Sequence, residues 1–221
     1  MPRGFVLTGT GTGVGKTVVA AALMHRYRSQ VPLRYWKPIQ TGIEQDDDTA
    51  TVRVLGECAD AEILAQGVRL PRPLSPHLAA RLAGKTIEIA PLVRLFETDG
   101  KTTGWVVEGA GGVLVPISDT HMMTDLMEAL ALPVVVVASS ELGTINHTLL
   151  TLEALRRRAL RVSGVVMVGD ANPENRAAIK RFGTVPVLGE MPRFAPLTSE
   201  RLGTWARAEL DPSGLLVEFL Q

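Results

Sequence analysis

Cysteine is nearly absent from the chain: Cys58 is the single one in 221 residues. One thiol excludes an internal disulfide framework and a zinc or iron–sulfur centre held by the cysteines of one subunit. Cys58 itself reads as an inert, partly buried thiol. Net charge is lacking too, since 23 Lys and Arg balance 23 Asp and Glu, and the pI near 6.9 gives no electrostatic reason to expect nucleic acid. No apolar run is long enough to span a membrane, and the most hydrophobic, Pro133–Ala138, has the pattern of a strand buried on both faces. The first motif opens at Gly9, so no secretory leader is expected, and a cytoplasmic protein without a membrane partner is. No repeat, low-complexity tract or dividing linker interrupts the sequence, so one α/β domain over residues 1–221 is expected.

What is present is glycine in one place. Gly9-Thr10-Gly11-Thr12-Gly13-Val14-Gly15-Lys16-Thr17 lies between the apolar run Phe5-Val6-Leu7 and the helix-like Val18–Met24. A glycine-rich loop between strand and helix lets backbone N–H groups converge on an anion, and the helix start adds free donors and its dipole. In such a cradle Lys16 reaches the β- and γ-phosphates and the Thr17 hydroxyl binds Mg²⁺. Five residues separate Gly9 from Gly15, one more than in the common phosphate loop.

Apolar runs and helical patterns alternate along the rest. Strands are expected at Gly4–Thr8, Leu33–Trp36, Trp105–Glu108, Val134–Ser139, Val162–Val168 and Val185–Leu188. Helices are expected at Gly15–Ser29, Thr49–Gly56, Pro76–Leu82, Ile89–Glu97, Thr124–Leu130, Ile145–Ala159, Pro173–Phe182 and Ser199–Glu209. This order implies a P-loop NTPase-like, mainly parallel sheet with helices on both faces, and ligands beyond the carboxyl ends of the strands. The proline-bearing segment Gly67–Pro76 reads as a fixed surface excursion.

Three clusters follow expected strands and so share the edge of the phosphate loop. Lys37-Pro38-Ile39-Gln40-Thr41-Gly42 offers a second cation for charge developing in phosphoryl transfer, and a hydroxyl at Thr41. Asp46-Asp47-Asp48 precedes a helix; acidic residues suit helix starts, and Asp48, nearest the helix, is the choice for an Mg²⁺ ligand. Trp105-Val106-Val107-Glu108-Gly109-Ala110-Gly111-Gly112 ends an apolar strand on a carboxylate, as the second half of a phosphate-loop metal site does. No nucleophile–base pair is evident.

These segments, with Ser75-Pro76-His77, Leu142-Gly143-Thr144-Ile145-Asn146-His147 and Leu188-Gly189-Glu190-Met191-Pro192, closely resemble the dethiobiotin synthase family, in order and over nearly the whole chain. In that family the lengthened loop is normal. The resemblance implies an ATP-dependent cyclo-ligase that carboxylates 7,8-diaminononanoate with CO₂ (from bicarbonate), passes through a carbamate and a carbamic–phosphoric anhydride, and closes the ring. Lys16 and Lys37 match the family's two lysines, which neutralise carbamate and phosphoryl oxygens. Thr17, Asp48 and Glu108 match its Mg²⁺ set, and Thr41 matches a substrate-contacting hydroxyl. Gly13, Val14, Gly15, Lys16, Thr17 and Val18, with Glu108, Gly109, Ala110 and Gly111, would line the phosphates of ATP. Pro192, Arg193 and Phe194 would close over the base. The family is homodimeric with the substrate tail near the interface, which assigns Gly143, Thr144 and Asn146 to the partner's site.

Two positions depart from the family. Many members carry an acidic residue where Gly13 stands, and many read adenine with an Asn-Asp pair after the sixth strand. Here that region is Met167-Val168-Gly169-Asp170, with Asn172 displaced, so no base preference carries over. His25 reads as packing, His77 and His147 as loop-orienting, Met122-Met123 as core filling and Arg156-Arg157-Arg158 as a solvated helix end. A cobyrinate-type amidoligase would need a glutaminase region. A ParA-like switch usually carries an additional lysine where Gly9, Thr10 and Gly11 stand, and a GTPase would show an Asn-Lys-x-Asp motif, which is missing.

Overall fold

The strongest hydrophobic runs lie in the middle of the structure because they are the ones buried on both faces. The computed structural model describes residues 3–99 and 103–221. Strand β1 (Arg3–Gly9) lies between β6 (Gly104–Gly112) and β7 (Val134–Ser139) in a seven-stranded sheet of order β4-β2-β6-β1-β7-β8-β9. Strands β2 (Leu33–Trp36) and β4 (Ile63–Leu64) complete one side, β8 (Val162–Val168) and β9 (Val187–Met191) the other. Every pairing is parallel, so every strand ends at the same edge.

Period-two alternation sorts the side chains onto two cores. On one face, Trp36, Trp105, Val107, Val134 and Val136 pack under α3 (Pro76–Leu82), α4 (Ile89–Asp99), α5 (Met123–Leu130) and α6 (Thr144–Arg157). On the other, Tyr35, Val106, Val135 and Val137 meet α1 (Lys16–Tyr27), α2 (Asp48–Leu55) and α8 (Ser199–Glu209). Helix α1 is buried along most of its length, and Ala20, Ala21 and Ala22 keep it thin enough to lie between the sheet and its two helical neighbours. By the same alternation Glu108, two residues after Val106, falls on the α1 side.

The expected strands Leu33–Trp36, Val134–Ser139 and Val162–Val168 form with those bounds, while β1 and β6 run longer. The expected strand at Val185–Leu188 begins two residues later. Pro186 has no N–H to donate; its carbonyl accepts from Val165 N at 2.9 Å, and parallel pairing with β8 begins at Val187, with a register shift between Val165 and Val166. Lys37–Gly42 is not simply a loop. Its Ile39–Thr41 is β3, paired in parallel with β5 (Val68–Leu70), so the excursion at Gly67–Pro76 begins as a strand whose Leu70 is buried with Ile39. The arginine run is tied down more than expected: Arg158 pairs with Asp125 at 2.5 Å, and Arg156 donates to the Gly183 and Thr184 carbonyls of α7 (Pro173–Gly183) and its cap. Cys58 is buried, which pushes its thiol up to about 11, in keeping with an inert thiol.

His25 knits α1 to α2 and α8. Its Nε2 lies 2.8 Å from the Leu55 carbonyl oxygen and 3.1 Å from Ser199 Oγ. Burial holds the imidazole below its ordinary value of 6.5, against the opposing pull of the Leu55 carbonyl. Between that lowered value and 6.5 the unfolded chain binds the additional proton, so this contribution is complete above about 6.5 and is lost as pH falls through the window. His25→Gln is expected to lose less stability than the parent between pH 7 and pH 5, measured by urea unfolding; equal losses would rule out His25 as the source.

Candidate active site

The phosphate loop is held at both ends. Thr10 N donates to Val137 O at 2.9 Å, fixing the loop to β7, and Gly15 caps α1 with φ 96°, a left-handed conformation that favours glycine. A Cβ on Gly9 would stand 3.0 Å from Lys16 Nζ and 2.7 Å from Val14 Cγ2, so the missing side chain makes room for the lysine. Lys16 lies back across the loop, its Nζ donating to Gly11 O at 2.8 Å. Burial and then the charge of Lys37 bring its ammonium down to about 8, although Glu108 and Asp48 pull the other way. Gly13 has φ 75° and open space around its Cα.

Beside the loop, four elements deliver one polar cluster. Lys37, directly after β2, is 3 % exposed and places Nζ 2.6 Å from Asp48 Oδ2 and 2.7 Å from Glu108 Oε1. Thr17 Oγ1, in the first turn of α1, is 2.8 Å from Asp48 Oδ1 and 3.0 Å from Glu108 Oε1; its one proton serves one carboxylate at a time. Burial alone would lower the Lys37 ammonium, but Glu108 and Asp48 outweigh it and hold it above its usual value. Burial likewise opposes ionisation of Asp48, and the Lys37 charge overcomes it, leaving the carboxyl below its usual range.

The acidic run divides its labour. Asp47 caps α2, its Oδ1 accepting from Thr49 N and Ala50 N at 2.9 and 3.1 Å. The Asp46 carbonyl takes Gln40 Nε2 at 2.9 Å, and Asp48 alone turns to Lys37 and Thr17. Glu108 to Gly111 lie within β6 rather than after it, because the strand continues to Gly112. Gly109 also offers its carbonyl to Lys37 Nζ at 3.3 Å.

The other expected residues share the edge but not the cluster. Thr41 is half-buried in β3. Gly143 caps α6 with φ 94°, Thr144 is buried and Asn146 exposed; among the described residues no hydrogen bond joins them to Lys16, Thr17 or Lys37. Pro192, Arg193 and Phe194 follow β9, where Arg193 pairs with Glu141 and Phe194 packs against the α1-side core. Next to them Gly169 has φ 130°, a conformation that favours glycine, and a Cβ there would fall 2.3 Å from the Ser140 hydroxyl oxygen. The nearby carboxamides are engaged: Asn172 Oδ1 accepts from Asn175 N at 3.0 Å, and Asn175 Nδ2 donates to Ser140 O at 3.1 Å. A cavity of about 820 Å³ between the start of α4 and the loop at Ser118–His121 is lined by none of the site residues.

Two residues of the site went unassigned in the sequence. Tyr35 is fully buried and donates to Glu108 Oε2 at 2.9 Å, and burial with the Glu108 charge pushes its phenol well above its usual value. Gln40, 1 % exposed, steadies the acidic loop. The parity that puts Tyr35 on the face of Val106 and Glu108 emerges only once β2 is paired with β6.

A family model described as an AAA domain matches residues 3–201. The ATP-dependent dethiobiotin synthetase BioD of Agrobacterium fabrum is 46 % identical over 198 residues, 90 % of either chain. The protein of the same name from Paramagnetospirillum magneticum is 50 % identical, covering 89 % of this chain and 91 % of its own. The chain belongs to the dethiobiotin synthetase family. Among solved structures, the septum site-determining protein MinD of Pyrococcus horikoshii, complexed with Mg-ADP, aligns with TM-score 0.58 at 16 % identity over 99 % of this chain and 94 % of its own. A ParA family ATPase from Chlorobium tepidum aligns with TM-score 0.54 at 13 % identity over 93 % of this chain and 97 % of its own. At such identities the likeness is one of fold: the sheet is that of the P-loop NTPases.

Removing the cation from this cluster would leave the buried carboxylate of Glu108 and the half-buried one of Asp48 without their shared partner. Lys37→Met is therefore expected to destabilise the ligand-free protein by about 3–5 kcal/mol at pH 7. The loss should shrink as pH is lowered and the Asp48 carboxyl, no longer held down by the Lys37 charge, takes up a proton. Urea unfolding at pH 7 and pH 5 measures both, and an unchanged midpoint at pH 7 would show that the ion pairs hold nothing together.

Proposed function

We propose that the protein is an ATP-dependent cyclo-ligase that carboxylates 7,8-diaminononanoate and closes the ring of dethiobiotin. The observation that carries this reading is the convergence of Thr17, Lys37, Asp48 and Glu108 at the start of the phosphate-loop helix. It is supported by the 42–50 % identity to proteins named dethiobiotin synthetase.

The donor set fits a hard divalent cation. Among the described residues no group of three or more His, Cys, Asp and Glu gathers as a metal cage. Thr17, Asp48 and Glu108 supply oxygen alone, and Mg²⁺ suits few protein oxygens with triphosphate and water completing its shell. Bound there, Mg²⁺ would supply neutralisation of phosphate charge. The loop amides from Gly13 to Val18 bind the β- and γ-phosphates, and Lys16 exchanges the Gly11 carbonyl for phosphate oxygen. Gly109, Ala110 and Gly111 allow close approach from the β6 side, and Pro192, Arg193 and Phe194 flank the base.

The chemistry needs positioned charge more than a nucleophile. One substrate amine adds to CO₂ and loses a proton, giving a carbamate. A carbamate oxygen takes the γ-phosphoryl group of ATP, releasing ADP. The second amine attacks the carbamoyl carbon and gives up a proton as the C–O bond breaks and phosphate leaves, closing the cyclic urea. Lys37, drawn by two carboxylates to the end of β2, neutralises carbamate and phosphoryl oxygens, and Thr41 holds the substrate. Gly143, Thr144 and Asn146 receive the substrate tail of a partner subunit in a cytoplasmic homodimer.

Phosphate release from ATP is expected to require both the diamine and bicarbonate; release independent of the diamine would sink the ligase reading in favour of a nucleotide switch. Lys37→Ala should lower kcat by about 10²-fold or more, as loss of a charge-stabilising donor does. Near-native cyclisation in that variant would remove Lys37 from the chemistry.

A further inference from the structure

The geometry points to Tyr35 as a positioning residue that fixes which oxygen of Glu108 faces the reaction site. Glu108 is wholly buried, so both carboxylate oxygens depend on protein partners. Oε2 receives the Tyr35 hydroxyl at 2.9 Å, while Oε1 meets Lys37 Nζ at 2.7 Å and Thr17 Oγ1 at 3.0 Å. Adjacent strands make this possible: Tyr35 stands opposite Val106 in the β2–β6 register, and Glu108 lies one pleat farther along on the same face.

With Oε2 engaged, the carboxylate presents a single oxygen toward Thr17 and Asp48. A carboxylate free to rotate could offer both oxygens to one cation and take up a coordination position that triphosphate oxygen or water needs. Partners behind a ligand fix its orientation in this way, and losing them costs tenfold or more in metal affinity. None of the hydrogen bonds of Tyr35 reaches Lys16, Lys37 or Thr17, so the effect runs through Glu108 alone.

The inference rests on the reading of Glu108 as an Mg²⁺ ligand, and the test separates the two. ADP binding is measured by calorimetry across an Mg²⁺ series and in EDTA, for the parent, Tyr35→Phe and Glu108→Gln. Tyr35→Phe keeps the ring and its packing, and should raise the Mg²⁺ concentration needed for half-maximal enhancement about tenfold while leaving ADP binding in EDTA within about twofold. An Mg²⁺ requirement unchanged in Tyr35→Phe but shifted in Glu108→Gln overturns the positioning role and leaves the ligand assignment standing. No shift in Glu108→Gln overturns both. An equal loss in EDTA also overturns it, since that marks a distorted loop. Should Tyr35→Phe fail to fold, Tyr35→Met, which also lacks the hydroxyl donor, is measured in the same series: a raised Mg²⁺ requirement with unchanged binding in EDTA supports the role, and an unchanged requirement overturns it.

Discussion

A single buried ammonium organises the polar edge of this protein. Lys37 Nζ sits within 2.7 Å of two carboxylates that arrive on different elements, Asp48 from a helix start and Glu108 from the third strand of the sheet. The two carboxylates offset the burial of the lysine, and the lysine in turn compensates the burial of the acids. Thr17 then joins the phosphate loop to the same charges. Four segments distant in sequence are thereby bound to one point, and the point lies where the sheet's strand ends and the helix dipole of α1 already favour an anion.

The sheet supplies the precision. Parallel pairing brings all the strand ends to one edge, and the pleat decides which residues look toward α1. Trp36, Trp105 and Val107 fill the opposite core, while Tyr35, Val106 and Glu108 share the α1 side. The apolar core and the charged cluster are thus built by the same alternation in the same strands. The loop adds a self-contained arrangement in which the Lys16 ammonium rests on the Gly11 carbonyl.

Much of this was legible in the sequence because the signals are local. Continuous valine runs, the Gly-Lys-Thr ending and the acid run before a helix each report on their own neighbourhood, and the central strands and the four converging residues follow from them. The short pairings were not legible. Ile39–Thr41 and Val68–Leu70 are too brief to show a period, and each becomes a strand only because the other is there. The start of β9 turned on a proline's missing N–H, and the role of Tyr35 depends on its strand lying beside β6. The roles of Asp46 and Asp47 depended on cap geometry that three consecutive aspartates cannot disclose.

The alternation within β2 and β6 also sets what kinds of change the lineage of such a protein can absorb. Deleting or inserting one residue between Leu33 and Trp36, or between Trp105 and Glu108, would turn tyrosine and carboxylate into the tryptophan core and send indole rings into the charged cleft. Changes of length are therefore better tolerated in the connections than within these two strands. The pleat works as an address, and the two strands can be rewritten in letter but not in count.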